Sequence, residues 1–176
     1  MTEQTITDFR WVLRQRTQDR HDRLDALVSR LDLTQAADLV SFFRMHLAAF
    51  DAMARHWETD GLTEMREAMA ADLSQLGGVR APDLALASFH PMAGRYILAG
   101  SRMGTVLLER RWSEAKDPRV RQAGRYFGLP RKAEDWQGVR EALRVVPVGS
   151  LEAEEIVSDT RTLFDGFERA CRAEMV

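Results

Sequence analysis

Most of this chain is built from residues that favour helix, and alternating runs of β-branched residues are nearly absent. Ala, Leu, Glu, Arg and Met are abundant, and these side chains lose little rotamer freedom on a helical backbone. Glycine and proline break the helical stretches at a few places, among them Gly77, Pro118 and Gly149. The pattern therefore predicts an all-α bundle of six or seven helices with no sheet to organise them.

These breaks divide the chain into predicted helices. Thr34 is expected to cap the second helix, because a threonine there can accept a hydrogen bond from the first turn. Gly61 is expected to interrupt the chain before the third helix. The predicted segments are Thr7–Ser29, Gln35–Thr59, Thr63–Leu76, Ser88–Ala115, a short helix from Pro118 to near Gly128, Lys132–Arg144 and Leu151–Glu174.

Length and composition narrow the class of protein. The 176 residues fit one domain, which we expect to span residues 1–176. The chain is 45% hydrophobic and 30% charged, as in an ordinary globular domain. Its net charge of −2 implies no general attraction to nucleic acid or to an acidic membrane, so neither is an expected partner.

The cysteine count and the distribution of charge indicate a cellular location. Cys171 is the only cysteine, so no intramolecular disulfide can form, which suits the reducing cytoplasm. The most apolar stretch runs from Leu39 to Trp57 and is interrupted by charged residues, which argues against a membrane span. The N-terminus has no long apolar run, so we expect no signal peptide and a cytoplasmic protein.

A histidine on the first predicted helix is the first candidate for chemistry. On a wheel of about 100° per residue with Leu13 at zero, His21 lies near 80°, on or beside the stripe that faces the core. Asp25 follows four residues later and can reach the imidazole, which would fix its tautomer and leave Nε2 for a metal. Arg14 lies roughly 10 Å before His21 along the axis, about the distance from a porphyrin centre to its propionates. The alternative is a hydrogen-bonded core histidine.

The fourth predicted helix carries an unusual set of glycines. Gly94, Gly100 and Gly104 lie inside a helical pattern, and each costs about 1 kcal/mol relative to alanine. Gly100 and Gly104 share one face, where the missing side chains would admit a flat macrocycle or a neighbouring helix, and they would also permit a kink. Ser101 adds a hydroxyl that could bind water or a ligand. Cofactor contact and close helix packing both remain open.

Three segments, taken in order along the chain, resemble the haem oxygenase family, especially its bacterial, biliverdin-producing members. LRQRTQDRH, from Leu13 to His21, resembles the family's L-[KR]-x-x-T-x-x-x-H motif. YILAGSRMG, from Tyr96 to Gly104, resembles the distal-helix pattern Y-x-L-x-G-S-x-x-G-[G]. The last predicted helix resembles the family's final core helix, and Arg161 stands where a basic partner of the propionates is usual.

The resemblance implies a single-domain haem-oxygenase-like fold, with haem between the first and fourth helices. His21 would be the proximal iron ligand, as the last residue of the first motif. The distal helix would lie over the iron and carry the catalytic residues Gly100, Ser101 and Gly104. The residues implied in cofactor binding are Arg14, Thr17, Asp25 and Arg161.

The implied reaction opens haem to biliverdin and releases carbon monoxide and iron. Haem is then both substrate and cofactor, and the protein supplies binding and orientation. Because no flavin or nicotinamide fingerprint is visible, the electrons must come from an external donor, a reductase or a ferredoxin. A phytochrome that accepts biliverdin is a compatible partner, and iron acquisition is a compatible purpose.

The chain departs from the family pattern at three positions. Thr105 stands where a second distal glycine is common, which puts turnover in question. Asp25 replaces a glutamate near the proximal histidine, and Ser101 stands where the animal enzymes have an aspartate. The first alternative is a non-catalytic haem- or bilin-binding protein of the same fold.

Two further hypotheses belong to different classes of protein. A helical protein-interaction module would use His21 only as a core residue. A thiamin-degrading enzyme of the same fold class would need a nucleophilic cysteine in the bundle, and Cys171 near the C-terminus is badly placed for that. No HxxxH, HExxH or CxxC spacing occurs, so a zinc site is not expected.

Overall fold

The computed structural model describes residues 8–175, except for the side chains of residues 133 and 134. Within this range the chain forms helices and no strand, which confirms the predicted all-α class. The helices are α1 (Phe9–Val28), α2 (Ala36–Ala54), α3 (Asp60–Gln75), α4 (Pro91–Ser113), α5 (Pro118–Gln122), α6 (Ala133–Arg144) and α7 (Leu151–Glu174).

Helix ends differ from the prediction where another residue supplies the cap. The side chain of Asp8 accepts from the Arg10 backbone N–H and begins α1, while Thr7 lies outside the described residues. The prediction that Thr34 caps α2 is wrong, because its hydroxyl donates to Asp32 and Gln35 takes the cap position without a side-chain hydrogen bond. An N-cap side chain must accept from a first-turn N–H, and the Thr34 hydroxyl accepts from the Gln35 side chain instead.

The start of α3 and the ends of two other helices also differ. Gly61 does not form the predicted break before α3. Thr59 accepts a hydrogen bond from the Leu62 N–H, so the helix begins ahead of the glycine and includes it. His90 caps α4 through a hydrogen bond from the Met92 N–H, with Pro91 at the first helical position, where its missing N–H costs nothing. α2 ends at Ala54 and α5 at Gln122, both earlier than predicted. The predicted bounds of α7 are confirmed.

The last helix organises the packing. α7 packs against α1, α2 and α4, while α2 also packs against α3, and α4 against α6. A smaller apolar cluster joins α1, α4, α6 and α7 at one end, with Phe9, Leu13 and Ile156 at its centre. None of the helices formed by the described residues is long and apolar enough to cross a membrane.

The larger apolar cluster is rich in aromatic rings. Phe42 and Phe43 on α2 pack against Tyr126 and Phe127 in the segment after α5. The buried carboxylate of Asp72 on α3 secures this segment by accepting the backbone N–H groups of residues 125 and 126. Burial raises the pKa of Asp72, and these two hydrogen bonds oppose the shift. These contacts therefore fix the segment after α5 against α2 and α3.

Candidate functional site

Contacts near both ends join α1 to α4. Arg14 of α1 and Tyr96 of α4 line one cavity, and burial raises the pKa of Tyr96, while Thr17 and Arg14 oppose the shift. At the other end, Arg111 of α4 donates to the carbonyl of Ser29 just beyond α1, at 3.3 Å. From the first contact to the second, residue numbers increase along both α1 and α4. The two helices therefore run parallel.

The stretch of α4 between these contacts is open. A Cβ built on Gly100 or Gly104 would meet no atom of the described residues within 4 Å. Met103 and Leu107 lie on the same face at i+3 and i+7 from Gly100, and they are 49% and 63% exposed. Tyr96 and Arg111 share this face, so the face points toward α1 and is left uncovered along its middle.

His21 lies on α1 at the level of this open face. It follows Thr17 by four residues, as Gly100 follows Tyr96, so both lie about 6 Å beyond the first contact between the helices. We call the space bordered by His21, Gly100, Met103, Gly104 and Leu107 the α1–α4 slot. Helix geometry therefore puts His21 and the two glycines at a similar level along the two parallel helices.

Periodicity placed His21 on or beside the core-facing stripe, and the structure puts it beside that stripe, with its side chain 57% exposed. The ring lies at the edge of the face that α1 buries, and the open middle of α4 does not cover it. Its edge contacts Phe164 of α7 in a T-shaped arrangement with ring centroids 5.9 Å apart. Its Nδ1 lies 3.4 Å from Oδ1 of Asp22, and its Nε2 has no hydrogen-bond partner among the described residues.

The predicted carboxylate partner of His21 is also different. Asp25 forms no hydrogen bond or ion pair with the imidazole among the described residues, and Nδ1 faces Oδ1 of the neighbouring Asp22 instead. The ring also packs against Phe164. A prediction from spacing alone assumed the i,i+4 geometry and did not include this third residue.

Thr17 and Arg14 lie at the near end of the slot. Thr17 is buried and its hydroxyl donates to the Leu13 carbonyl at 2.8 Å. Arg14 is exposed, with its guanidinium 6.0 Å from the centre of the Trp11 ring. It also lines a cavity of about 190 Å³ together with Tyr96. Arg14 thus places a positive charge in this cavity, whose lining comes from α1, α4 and α6, while the Thr17 hydroxyl is bonded within α1.

Arg161 is not brought to the slot. Its guanidinium donates to the Arg16 carbonyl and lies 3.8 Å from Asp19. Arg16 and Asp19 lie on the flank of α1 opposite His21, at roughly 300° and 240° on the wheel that places His21 near 80°. In this structure Arg161 fastens α7 to α1, which corrects the placement that the resemblance implied.

The three glycines of α4 differ in surroundings. A Cβ on Gly94 would lie 2.8 Å from Trp57 and 2.9 Å from Phe89, so close packing explains the glycine at this position. Gly100 and Gly104 have open space instead. The helix is continuous through all three. Close packing therefore accounts for Gly94 but not for Gly100 or Gly104.

Thr105 does not narrow the slot. It is buried, its hydroxyl donates to the Ser101 carbonyl at 3.0 Å, and it lies 3.2 Å from the Tyr126 hydroxyl in the core. The Ser101 hydroxyl is partly buried and donates to the Leu98 carbonyl at 3.3 Å. The departure from the family pattern at Thr105 therefore faces the core.

Four residues of the site were not predicted from the sequence, namely Asp22, Met103, Leu107 and Arg111. The spacing of Gly100, Met103, Gly104 and Leu107 is a signal that could have found two of them, because i, i+3, i+4 and i+7 mark one helix face.

No protein-family model matches the chain, and no curated protein matches it.

Proposed function

We propose that the chain binds haem in the α1–α4 slot with His21 as the iron ligand, and that it is a haem oxygenase that opens haem to biliverdin, carbon monoxide and iron. The observation that carries the proposal is the uncovered face at Gly100 and Gly104, level with an exposed imidazole on the parallel helix. The free thiol of Cys171 suits the cytoplasm, where we place the reaction.

The residues of the slot fit a flat macrocycle. Gly100 and Gly104 have no side chain, so a ring can lie against the backbone of α4, and no described atom fills the space that a Cβ would take. Met103 and Leu107 leave apolar surface exposed that the ring would bury, at about 25 cal/mol per Å². One free histidine nitrogen is enough for a cofactor that needs a single protein ligand.

On the proximal side, this chain's residues hold and orient the ligand. Asp22 accepts the Nδ1 proton of His21 and so leaves the lone pair of Nε2 directed away from the helix. Phe164 limits the rotation of the ring through its edge contact. Arg14, at the near end of the slot, supplies a cation for a carboxylate of the bound macrocycle. When bound, haem supplies the oxidative chemistry, with electrons from an external reductase or ferredoxin.

On the distal side, α4 supplies shape and proton-holding groups. The Ser101 hydroxyl donates to the Leu98 carbonyl, which leaves its own lone pairs to hold a water beside the slot. Thr105 faces Tyr126 in the core, so its side chain takes no space from a ligand. Thr105 was the sequence feature that favoured a protein that only binds haem or a bilin, and its position in the core removes that argument.

A protein-interaction module and a thiamin-degrading enzyme have less support. An interaction module with His21 as a core residue expects a buried imidazole, and this one is exposed. A thiamin-degrading enzyme needs a reactive thiol. Cys171 is buried, and burial raises its pKa to about 11, so the nucleophilic thiolate is scarce at neutral pH. A phytochrome that receives biliverdin remains a compatible partner.

Turnover of hemin tests the proposed activity. The purified protein is loaded with one equivalent of hemin, ascorbate is added in air, and the Soret band, the bilin absorbance and carbon monoxide are followed together. The proposal predicts loss of the Soret band with the appearance of biliverdin and carbon monoxide. A Soret band that persists without bilin would contradict the oxygenase assignment and leave the binding protein as the function.

A further inference from the structure

A second cavity lies against the other side of α4. This cleft has a volume of about 910 Å³ and is formed by α3, α4, α6 and the segment before α6. Trp57, Leu98, Ala99 and Val139 give it an apolar floor. Its size falls in the range of small-molecule sites, which are largely apolar with a few polar groups that set orientation. None of its lining residues belongs to the α1–α4 slot.

The two walls of the cleft carry opposite charges. The wall from α3 presents exposed carboxylates on one helix face, those of Asp60, Glu64 and Glu67. The facing wall presents cations from α4 and from the segment before α6, those of Arg95, Arg102 and Lys132. One carboxylate, that of Asp135, lies on the basic side next to Lys132.

Ion pairs between these walls are absent among the described side chains. The three α3 carboxylates form no salt bridge within 4.0 Å, and neither do Arg95 and Lys132; the pairs found nearby join Arg66 to Asp51 and Glu58. Arg102 donates to the Pro130 carbonyl, which holds its charge at the cleft without neutralising it. The two walls therefore face each other across an apolar floor with their charges uncompensated.

Two glycines line the cleft at positions where the packing around them would accept a methyl group. A Cβ on Gly61 would lie 3.8 Å from the Leu98 side chain, and one on Gly138 would lie 3.8 Å from the Arg95 guanidinium. Both distances are ordinary van der Waals contacts. Glycine destabilises a helix relative to alanine, yet both residues lie inside helices and line the cleft. A methyl group at either position would occupy the space of a ligand.

We propose that this cleft binds a zwitterionic small molecule with an apolar body, the chemistry of a hydrophobic dipeptide. Its ammonium group is held by the carboxylates of α3, and its carboxylate by Arg95 and Lys132. Its apolar part lies over Trp57 and Leu98. A ligand with one charge would leave one wall unsatisfied, so both charges are needed for tight binding. This site does not depend on haem binding in the slot.

Three dipeptide probes separate the two charges. Calorimetric titrations use dileucine, N-acetyl-dileucine, which lacks the ammonium, and dileucine amide, which lacks the carboxylate. The proposal predicts saturable binding of dileucine and at least tenfold weaker binding of each blocked form. If dileucine gives no saturable heat, or if either blocked form binds as tightly, the proposal is wrong.

Variants then place the binding in the cleft. R95E and E64R are each expected to weaken dileucine binding at least tenfold, while R110E, an exposed α4 position outside the cleft, leaves it unchanged. G138A is expected to raise the melting temperature and yet weaken binding, a pair of effects that misfolding cannot produce. Unchanged affinity in R95E and G138A would overturn the assignment of the site. Hemin titration of R95E, expected to match the wild type, keeps this result separate from that of the haem proposal.

Discussion

Two histidines occupy opposite kinds of surroundings in this bundle. His46 on α2 is buried, with its ring against Phe42, Phe50 and Phe167, and its Nδ1 donates to the Phe42 carbonyl at 2.8 Å. Burial lowers its pKa to about 4, so the ring is neutral at pH 7. His21 is exposed beside an uncovered helix face. The aromatic core uses its histidine for packing, whereas the α1–α4 slot leaves a nitrogen available to a ligand.

Truncation of the two rings is expected to separate these roles most strongly. H46A removes a packed ring from the core and should lower the free energy of unfolding by roughly 2–5 kcal/mol. H21A removes an exposed ring and should change it by less than about 0.5 kcal/mol. Urea denaturation followed by circular dichroism measures both. Equal losses in the two variants would remove the distinction between the regions.

The aromatic core is also expected to weaken in acid because of His46. Its pKa is about 4 in the folded chain and 6.5 when unperturbed, so between these values the unfolded chain binds more protons. Stability contributed by the neutral ring is therefore complete above pH 6.5 and is lost as the pH falls toward 4, by roughly 3 kcal/mol in total.

Urea denaturation of the wild type and of H46Q at pH 7, 6, 5 and 4 measures this loss. Glutamine does not titrate, so the difference in stability between the two proteins should shrink as the pH falls. A constant difference between the wild type and H46Q would show that His46 does not titrate in this range.

Alanine substitutions at two glycines of α4 should change the free energy of unfolding in opposite directions, and by smaller amounts. G94A forces a methyl group against Trp57 and Phe89 and should destabilise the fold by roughly 1–3 kcal/mol. G104A meets open space and should stabilise the helix by up to about 1 kcal/mol, while its methyl group enters the slot and weakens hemin binding. Thermal unfolding with and without hemin checks both. Destabilisation by G104A would mean that the slot is closed.

The sequence could predict what depends on local pattern. The all-α class and the bounds of α7 follow from composition and from the break at Gly149, and they are confirmed. The shared face of Gly100 and Gly104 follows from helical spacing alone. The helix starts predicted at Thr34 and Gly61 were wrong because the Thr34 hydroxyl accepts from the Gln35 side chain, and because Thr59 caps α3 ahead of the glycine. Residue types alone do not show which of these hydrogen bonds forms.

The rest of the candidate site depends on tertiary contacts. Helix periodicity put His21 at the edge of the buried stripe, but only the packing of α4 decides whether that edge is covered. Arg161 was taken for a cofactor partner, and its actual partners lie on the other flank of α1. Gly94 and Gly104 look alike in sequence, and only the position of Trp57 distinguishes them.

A hemin titration with two histidine variants tests most directly whether His21 binds iron in the slot. His56 is also exposed, but it lies after α2 and its Nε2 contacts the Leu86 carbonyl, so H56A is a matched control. Soret absorbance should saturate at one equivalent in the wild type and in H56A, while H21A should lose at least about 100-fold in affinity. Equal hemin binding by H21A and the wild type, with the same Soret maximum, would contradict the assignment.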